Sequence, residues 1–172
     1  METCVSCQKP KGAFACGICQ GLSCKKCIQS LAEGSFSFLN QIPADLTHRK
    51  YCGRCFDEKV APELHSYQQA MAKAKKIIVF IKGQGEETRL YKRTEKPVQV
   101  VDCRDREETL LRLAFFAARA NFNGLVDVTI SGEKVRNGAY QTSRWHGTGI
   151  PTQIDESKLA FVGKKLLPQL PC

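Results

Sequence analysis

Histidine is scarce in this 172-residue chain, with three in all, and tryptophan occurs once. His48, His65 and His146 stand far apart. None has a second histidine, a carboxylate pair or a nucleophile in register, so no catalytic constellation is found and the chain is read as a non-enzyme. Long hydrophobic runs are missing too; none approaches the length of a membrane span, which gives the expectation of a soluble protein. No apolar signal segment precedes Cys4, and three residues are too few for targeting, so a reducing, cytoplasmic compartment is expected. A phosphate loop is excluded at Gly83-Gln84-Gly85, because Glu86 and Glu87 follow where a Lys-Ser/Thr step or an apolar helix start is needed. Concentrated charge is lacking as well. The formal net charge is +9, but the basic residues are spread out and only Lys73, Lys75 and Lys76 form a compact cluster, read as a solvated helix end.

Cysteine is present in excess. Ten occur, and eight of them make four Cys-x-x-Cys pairs: Cys4 with Cys7, Cys16 with Cys19, Cys24 with Cys27, and Cys52 with Cys55. A two-residue gap lets both thiolates of a pair turn onto one ion about 2.3 Å away, so four pairs supply two tetrahedral Cys4 sites, with two structural zinc ions as the expected cofactor. A disulfide framework would need an oxidising compartment. A redox Cys-x-x-Cys sits once, at a helix start after a strand, and does not repeat fourfold; iron–sulfur ligation is the remaining competitor. With both ions bound, eight thiolates and two dications bring the net charge from +9 to about +5, which weakens the attraction for nucleic acid.

Four residues separate Cys19 from Cys24 and twenty-four separate Cys27 from Cys52. That rhythm suits an interleaved cross-brace, with Cys4, Cys7, Cys24 and Cys27 as site 1 and Cys16, Cys19, Cys52 and Cys55 as site 2. Two sequential fingers are the alternative, and spacing leaves both open. Lys25 and Lys26 lie between ligands, where their charge offsets a Cys4 centre. Phe36, Phe38, Leu39 and Ile42 are expected to close a small core around the ions, and His48 to lie on the surface.

In the order of its eight ligands, the gap before Cys24 and the closing Arg49-Lys50-Tyr51-Cys52-Gly53-Arg54-Cys55-Phe56, the stretch of about residues 1 to 60 resembles the FYVE family of zinc fingers. RING fingers are cross-braced too, but usually place a His among the middle ligands. Members of the FYVE family that bind phosphatidylinositol 3-phosphate carry a basic Arg/His run and a Trp-x-x-Asp element. Here the equivalent stretch reads Lys11-Gly12-Ala13-Phe14-Ala15-Cys16, with no histidine, and the Trp-x-x-Asp element is absent. The resemblance therefore implies the fold and does not carry over the lipid.

The expected architecture is α+β: a FYVE-like double-zinc finger over residues 1–58, a connecting helix over 59–75, a β-β-β-α-β-β domain over 76–155, and a tail over 156–172. Val60, Leu64, Tyr67 and Met71 mark the connecting helix, with Pro62 in its first turn. Ile77 to Ile81 reads as a buried strand, Thr88 to Arg93 as a second, and Val98 to Asp102 as a third. Asp105 and Glu108 open the strongest helix, whose stripe of Leu110, Leu113, Ala114, Ala117 and Ala120 is widened by Phe115, Phe116 and Phe122. Asn123-Gly124 is read as its end. Val126 to Ile130 and Ala139 to His146 follow as strands, with turns at Ser131-Gly132 and Asn137-Gly138. Cys103 is expected to be a buried thiol, and Cys172 lacks a prenylation context.

Asn123-Gly124-Leu125-Val126-Asp127-Val128 after a helix, then Trp145-His146-Gly147-Thr148, resembles the YbjQ-like family of small domains that form rings of subunits. The likeness implies a homo-oligomer. Trp145 and His146, beside a glycine-rich turn at Gly147-Thr148-Gly149, form a candidate ligand site. The function expected overall is a zinc-binding adaptor with a protein partner. One alternative is weak phosphoinositide or acidic-membrane contact through Lys25, Lys26, Arg49 and Lys50, which would place the protein at the membrane periphery. A second is RING-like ubiquitin ligase activity, and nucleic acid ranks last.

Overall fold

The computed structural model describes residues 3–83 and 91–157, which divide between Gln69 and Ala70 into two compact units. The fold is α+β. Among the described residues, no helix is long and apolar enough to cross a membrane.

The first unit has little regular structure. Strands β1 (Phe14–Ala15) and β2 (Leu22–Ser23) pair antiparallel, as do β3 (Ile28–Ser30) and β4 (Lys50–Cys52). Its apolar core is small: Phe36, Leu46, Tyr51 and Val60 are buried with Cys16 and Cys52, and Ile18, Leu31, Leu39, Phe56, Leu64 and Tyr67 pack against them. Of the apolar residues expected there, Phe36 is buried, whereas Ile42 is exposed. The Tyr67 ring meets Phe36 edge-on, with centroids 5.3 Å apart, and the Tyr51 hydroxyl donates to the His48 carbonyl at 2.7 Å.

Helix α1 covers residues 53–74 as one run: Gly53–Cys55, a π-turn Phe56–Val60, and Ala61–Ala74. It begins well before the expected residue 59. The reason lies in the fourth cysteine pair, since Cys52 is the N-cap and its Sγ accepts the Cys55 N–H. Pro62 then falls inside the helix and not in its first turn. A proline ring there clashes with the carbonyl four residues back, and the π-turn immediately before it, closed by Ala61 N–H donating to the Phe56 carbonyl, widens the backbone at that point.

The second unit is a four-stranded sheet with a helix on one face. Strands β5 (Ile78–Ile81), β6 (Val98–Cys103), β7 (Gly124–Asn137) and β8 (Tyr140–Thr152) lie in the order β5-β7-β8-β6. β5 and β7 are parallel, and the other neighbours are antiparallel. Helix α2 (Arg106–Arg119) packs on β6, β7 and β8 through Thr109, Leu113, Ala114, Phe115, Ala117 and Ala118. The Asp105 carboxylate caps it, accepting the Glu108 N–H at 2.7 Å, while the Glu108 carboxylate accepts the Arg104 N–H at 2.9 Å. The helix stops short of Phe122 because Asn121, at φ +61°, ends it: Phe122 N–H donates to the Ala117 carbonyl and Asn121 N–H to Ala118, a Schellman closure.

Two expected turns are strand interior. Ser131-Gly132 lies inside β7, where Gly132 faces Trp145 across the pair; a Cβ on that glycine would meet the indole at 3.0 Å. Gly147-Thr148-Gly149 lies inside β8, and a Cβ on Gly147 would stand 2.6 Å from the Thr109 methyl and 3.0 Å from Leu113. These glycines let a ring and a helix approach the sheet closely. Half of the expected strand Thr88 to Arg93 lies outside the described residues, and 91–93 are irregular; the tail beyond residue 157 is also outside them.

Candidate metal centre

Two groups of four cysteines converge in the first unit. Cys4, Cys7, Cys24 and Cys27 form one and Cys16, Cys19, Cys52 and Cys55 the other, with the Sγ atoms of each group all within 4.8 Å of one another. The chain therefore pairs its cysteines first with third and second with fourth. Site 1 is tied across the module by a 3.8 Å separation between Cys7 and Cys24 Sγ, and site 2 by 3.8 Å between Cys19 and Cys52 Sγ. A disulfide holds its sulfurs about 2.05 Å apart, so these are not disulfides. Four sulfurs at about 2.3 Å around one ion form a tetrahedron whose edges are about 3.8 Å, the distance seen in both sites.

Local backbone geometry turns each pair inward. The sequence Cys-x-x-Cys-Gln occurs at Cys4 and again at Cys16, and it builds the same knuckle twice. Gln8 at φ +61° donates its N–H to the Cys4 carbonyl at 2.8 Å; Gln20 at φ +59° donates to the Cys16 carbonyl at 3.0 Å. Cys4 and Cys16 N–H groups then donate to the Lys9 and Gly21 carbonyls at 2.9 and 3.0 Å. The glutamine positions were not singled out from the sequence, although the repeated Cys-x-x-Cys-Gln was the signal.

Backbone N–H groups aimed at sulfur stabilise its anionic form. At Cys4, the N–H groups of Cys24 and Cys7 bring the thiol down to about 6, with the Cys24 N–H 3.3 Å from the sulfur. At Cys16, burial pushes the thiol up, but the N–H groups of Cys52, Cys19 and Ile18 outweigh it and bring it to about 6. The last thiols of each group behave oppositely. Cys27 is pushed up to about 12 by the Cys24 and Cys7 sulfurs, and Cys55 to about 12 by burial and the Cys52 and Cys19 sulfurs. The Lys26 N–H also lowers Cys24, and burial raises Cys52, so each group mixes thiols that ionise readily with thiols that will not without a cation to share their charge.

Surroundings differ between the two. Cys16 and Cys52 belong to the apolar core, and Cys55 packs against it. Site 1 lies outside that cluster, and Val5, in the first knuckle, is 47% exposed. The four basic residues considered for contacts are also unequal. Lys25 and Lys26 are exposed. Arg49 is paired with Glu33, and the Lys50 ammonium stands 4.1 Å above the Phe14 ring.

Trp145 and His146 are not brought together. Neighbours on a strand point to opposite faces: Trp145 lies over Gly132, whereas His146 reaches Glu133, Nε2 to Oε1, at 3.3 Å. Comparison with protein-family models, with curated proteins and with solved structures found no match for this chain.

Proposed function

We propose that the chain is a zinc-stabilised, non-enzymatic interaction protein, in which a FYVE-like cross-braced finger is joined through α1 to a YbjQ-like α+β unit that presents a second binding surface. The observation that carries this reading is the interleaved pairing with sulfur separations of 3.8 Å. An all-thiolate tetrahedral set suits zinc, and a closed Cys4 site leaves no open position for a substrate or a reactive water, which supports a structural role. The absence of histidine from the eight ligands favours a FYVE-like over a RING-like set. Free thiols throughout the described residues accord with a reducing, cytoplasmic compartment.

Elemental analysis of freshly purified, reduced protein is expected to give about two zinc ions per chain. Much less than one, or iron in its place, would overturn the reading. Solution mass on the same sample reports the homo-oligomer that the YbjQ-like likeness implies; a strict monomer removes that part and leaves the finger untouched.

A second reading, weak contact with acidic membranes, is favoured by one feature of the finger. From Thr3 to Ala32 there is no acidic residue, and Lys9, Lys11, Lys25 and Lys26 are exposed without an ion pair among the described residues. Against it, Arg49 and Lys50 are already engaged within the unit. Sedimentation with phosphatidylserine or phosphoinositide vesicles is expected to show binding that fades between low and physiological salt, where the Debye length is about 8 Å. An absence of binding at low salt eliminates membrane contact and does not bear on the adaptor.

A further inference from the structure

The β7–β8 hairpin outruns its sheet. β6 pairs with β8 only as far as Trp145, and β5 pairs with β7 only as far as Val128. From Glu133 to Arg144 the two strands continue alone through five cross-strand pairs, Glu133 with Arg144 out to Asn137 with Tyr140. At about 3.4 Å per residue the ribbon reaches roughly 17 Å past the sheet. Gly138, at φ +65°, opens its two-residue loop, the conformation a tight hairpin turn requires. Among its described side chains, both faces of the ribbon are exposed; Val135 alone is half-buried. A two-stranded ribbon gains little stability by itself in water, so a polar one this long is a costly surface without a partner.

We propose that this ribbon enters the major groove of double-stranded DNA. Alternation places Lys134, Arg136, Gln141 and Ser143 on one face, and Arg144, Thr142 and Tyr140 on the other. The ribbon's single acid, Glu133, is engaged by His146 from the sheet below it, and Arg144 stands 3.7 Å from Asp102 at the ribbon's base. Lys134 and Arg136 have no ion pair among the described residues. A protein surface would cover one face of such an arm, whereas a groove flanks both. The B-form major groove, about 12 Å wide and 8.5 Å deep, admits a two-stranded ribbon, and the deep, narrow major groove of duplex RNA does not. A membrane is disfavoured by the tip, where Gly138-Ala139 offers no large apolar side chain and Tyr140 alone is aromatic. The charge that looks diffuse along the sequence is concentrated here by the fold: Lys134 and Arg136 are placed for phosphates, and Gln141, Thr142 and Ser143 offer hydrogen bonds to base edges.

The test is fluorescence anisotropy of the full chain with a labelled mixed-sequence DNA duplex over a range of salt. Two cations on phosphates, Lys134 and Arg136, predict a slope of log affinity against log salt of about −1.8. The exposed double variant Lys134→Gln/Arg136→Gln should bind about tenfold more weakly at low salt, with a slope flatter by about 2, while Lys25→Gln/Lys26→Gln binds as the parent does. The proposal is overturned by no duplex binding at low salt, or by loss of binding in the finger variant and not in the ribbon variant. Equal, ribbon-dependent binding to duplex RNA or to phosphatidylserine vesicles also overturns it, since that is charge attraction without a groove. None of these outcomes depends on the identity of the metal.

Discussion

Removing the proposed zinc ions with a strong chelator under reducing conditions is expected to unfold the first unit while the second keeps its sheet. Regular structure in the first unit amounts to strands of two and three residues and the start of α1. Its core holds four large buried side chains that are not metal-site cysteines, Phe36, Leu46, Tyr51 and Val60. At about 1.5 to 3 kcal/mol each, their burial is outweighed by two structural zinc sites, each of which contributes about 10 to 16 kcal/mol of apparent binding free energy. The second unit has its own interior, with Leu113, Phe115, Leu125, Val126 and Val128 fully buried. Far-UV circular dichroism should therefore lose helical signal from α1 and keep the strand signal. Melting unchanged by the chelator would show that sulfur and metal do not hold the first unit. Acid should act in the same direction. Below about 6, Cys4 and Cys16 take up protons and join Cys27 and Cys55, which are protonated up to about 12 without a cation, so metal affinity falls as pH falls and is recovered as pH rises.

What the sequence disclosed, and what it did not, follows the range over which each feature is encoded. The eight cysteines of the two candidate metal sites were legible because a Cys-x-x-Cys knuckle is local, and so was the start of α2, where Asp105 and Glu108 stand three apart. Which pair shares a site was open, since the 3.8 Å contacts join Cys7 with Cys24 and Cys19 with Cys52 across long stretches of chain. Glycine misled for a related reason. In isolation Gly132 and Gly147 signal turns; in the fold they are strand residues whose missing side chains make room for Trp145 and for Thr109 and Leu113. The length of the β7–β8 hairpin was hidden with them, because a turn read at Ser131-Gly132 cuts β7 short and removes the ribbon from view. Trp145 and His146, adjacent in sequence and so grouped, are separated by the alternation of the strand that carries them.

The two sites should respond unequally to the loss of one ligand. Cys7 and Cys55 are both half-buried, so replacing either by serine removes a sulfur of similar exposure. Their surroundings are different. Cys55 sits where β4 becomes α1, beside Cys52, whose Sγ caps the helix, and it packs against the core of Phe36, Leu46, Tyr51 and Val60. Cys7 closes a knuckle near the amino end, outside that core. Cys7→Ser should therefore release the ion of site 1 and free residues 3–13, leaving β3, β4, the core and site 2 in place, so that about one zinc per chain remains. Cys55→Ser should release the ion of site 2 and with it the junction of β4, α1 and the core on which the fold around site 1 depends, so zinc content should fall to near zero and the first unit should melt as it does with chelator. Measuring zinc per chain and thermal unfolding on both variants decides the matter. Equal losses would mean that the two ions stabilise one indivisible module, and a larger loss from Cys7→Ser would place the nucleus of the unit at site 1 and not in the core beside site 2.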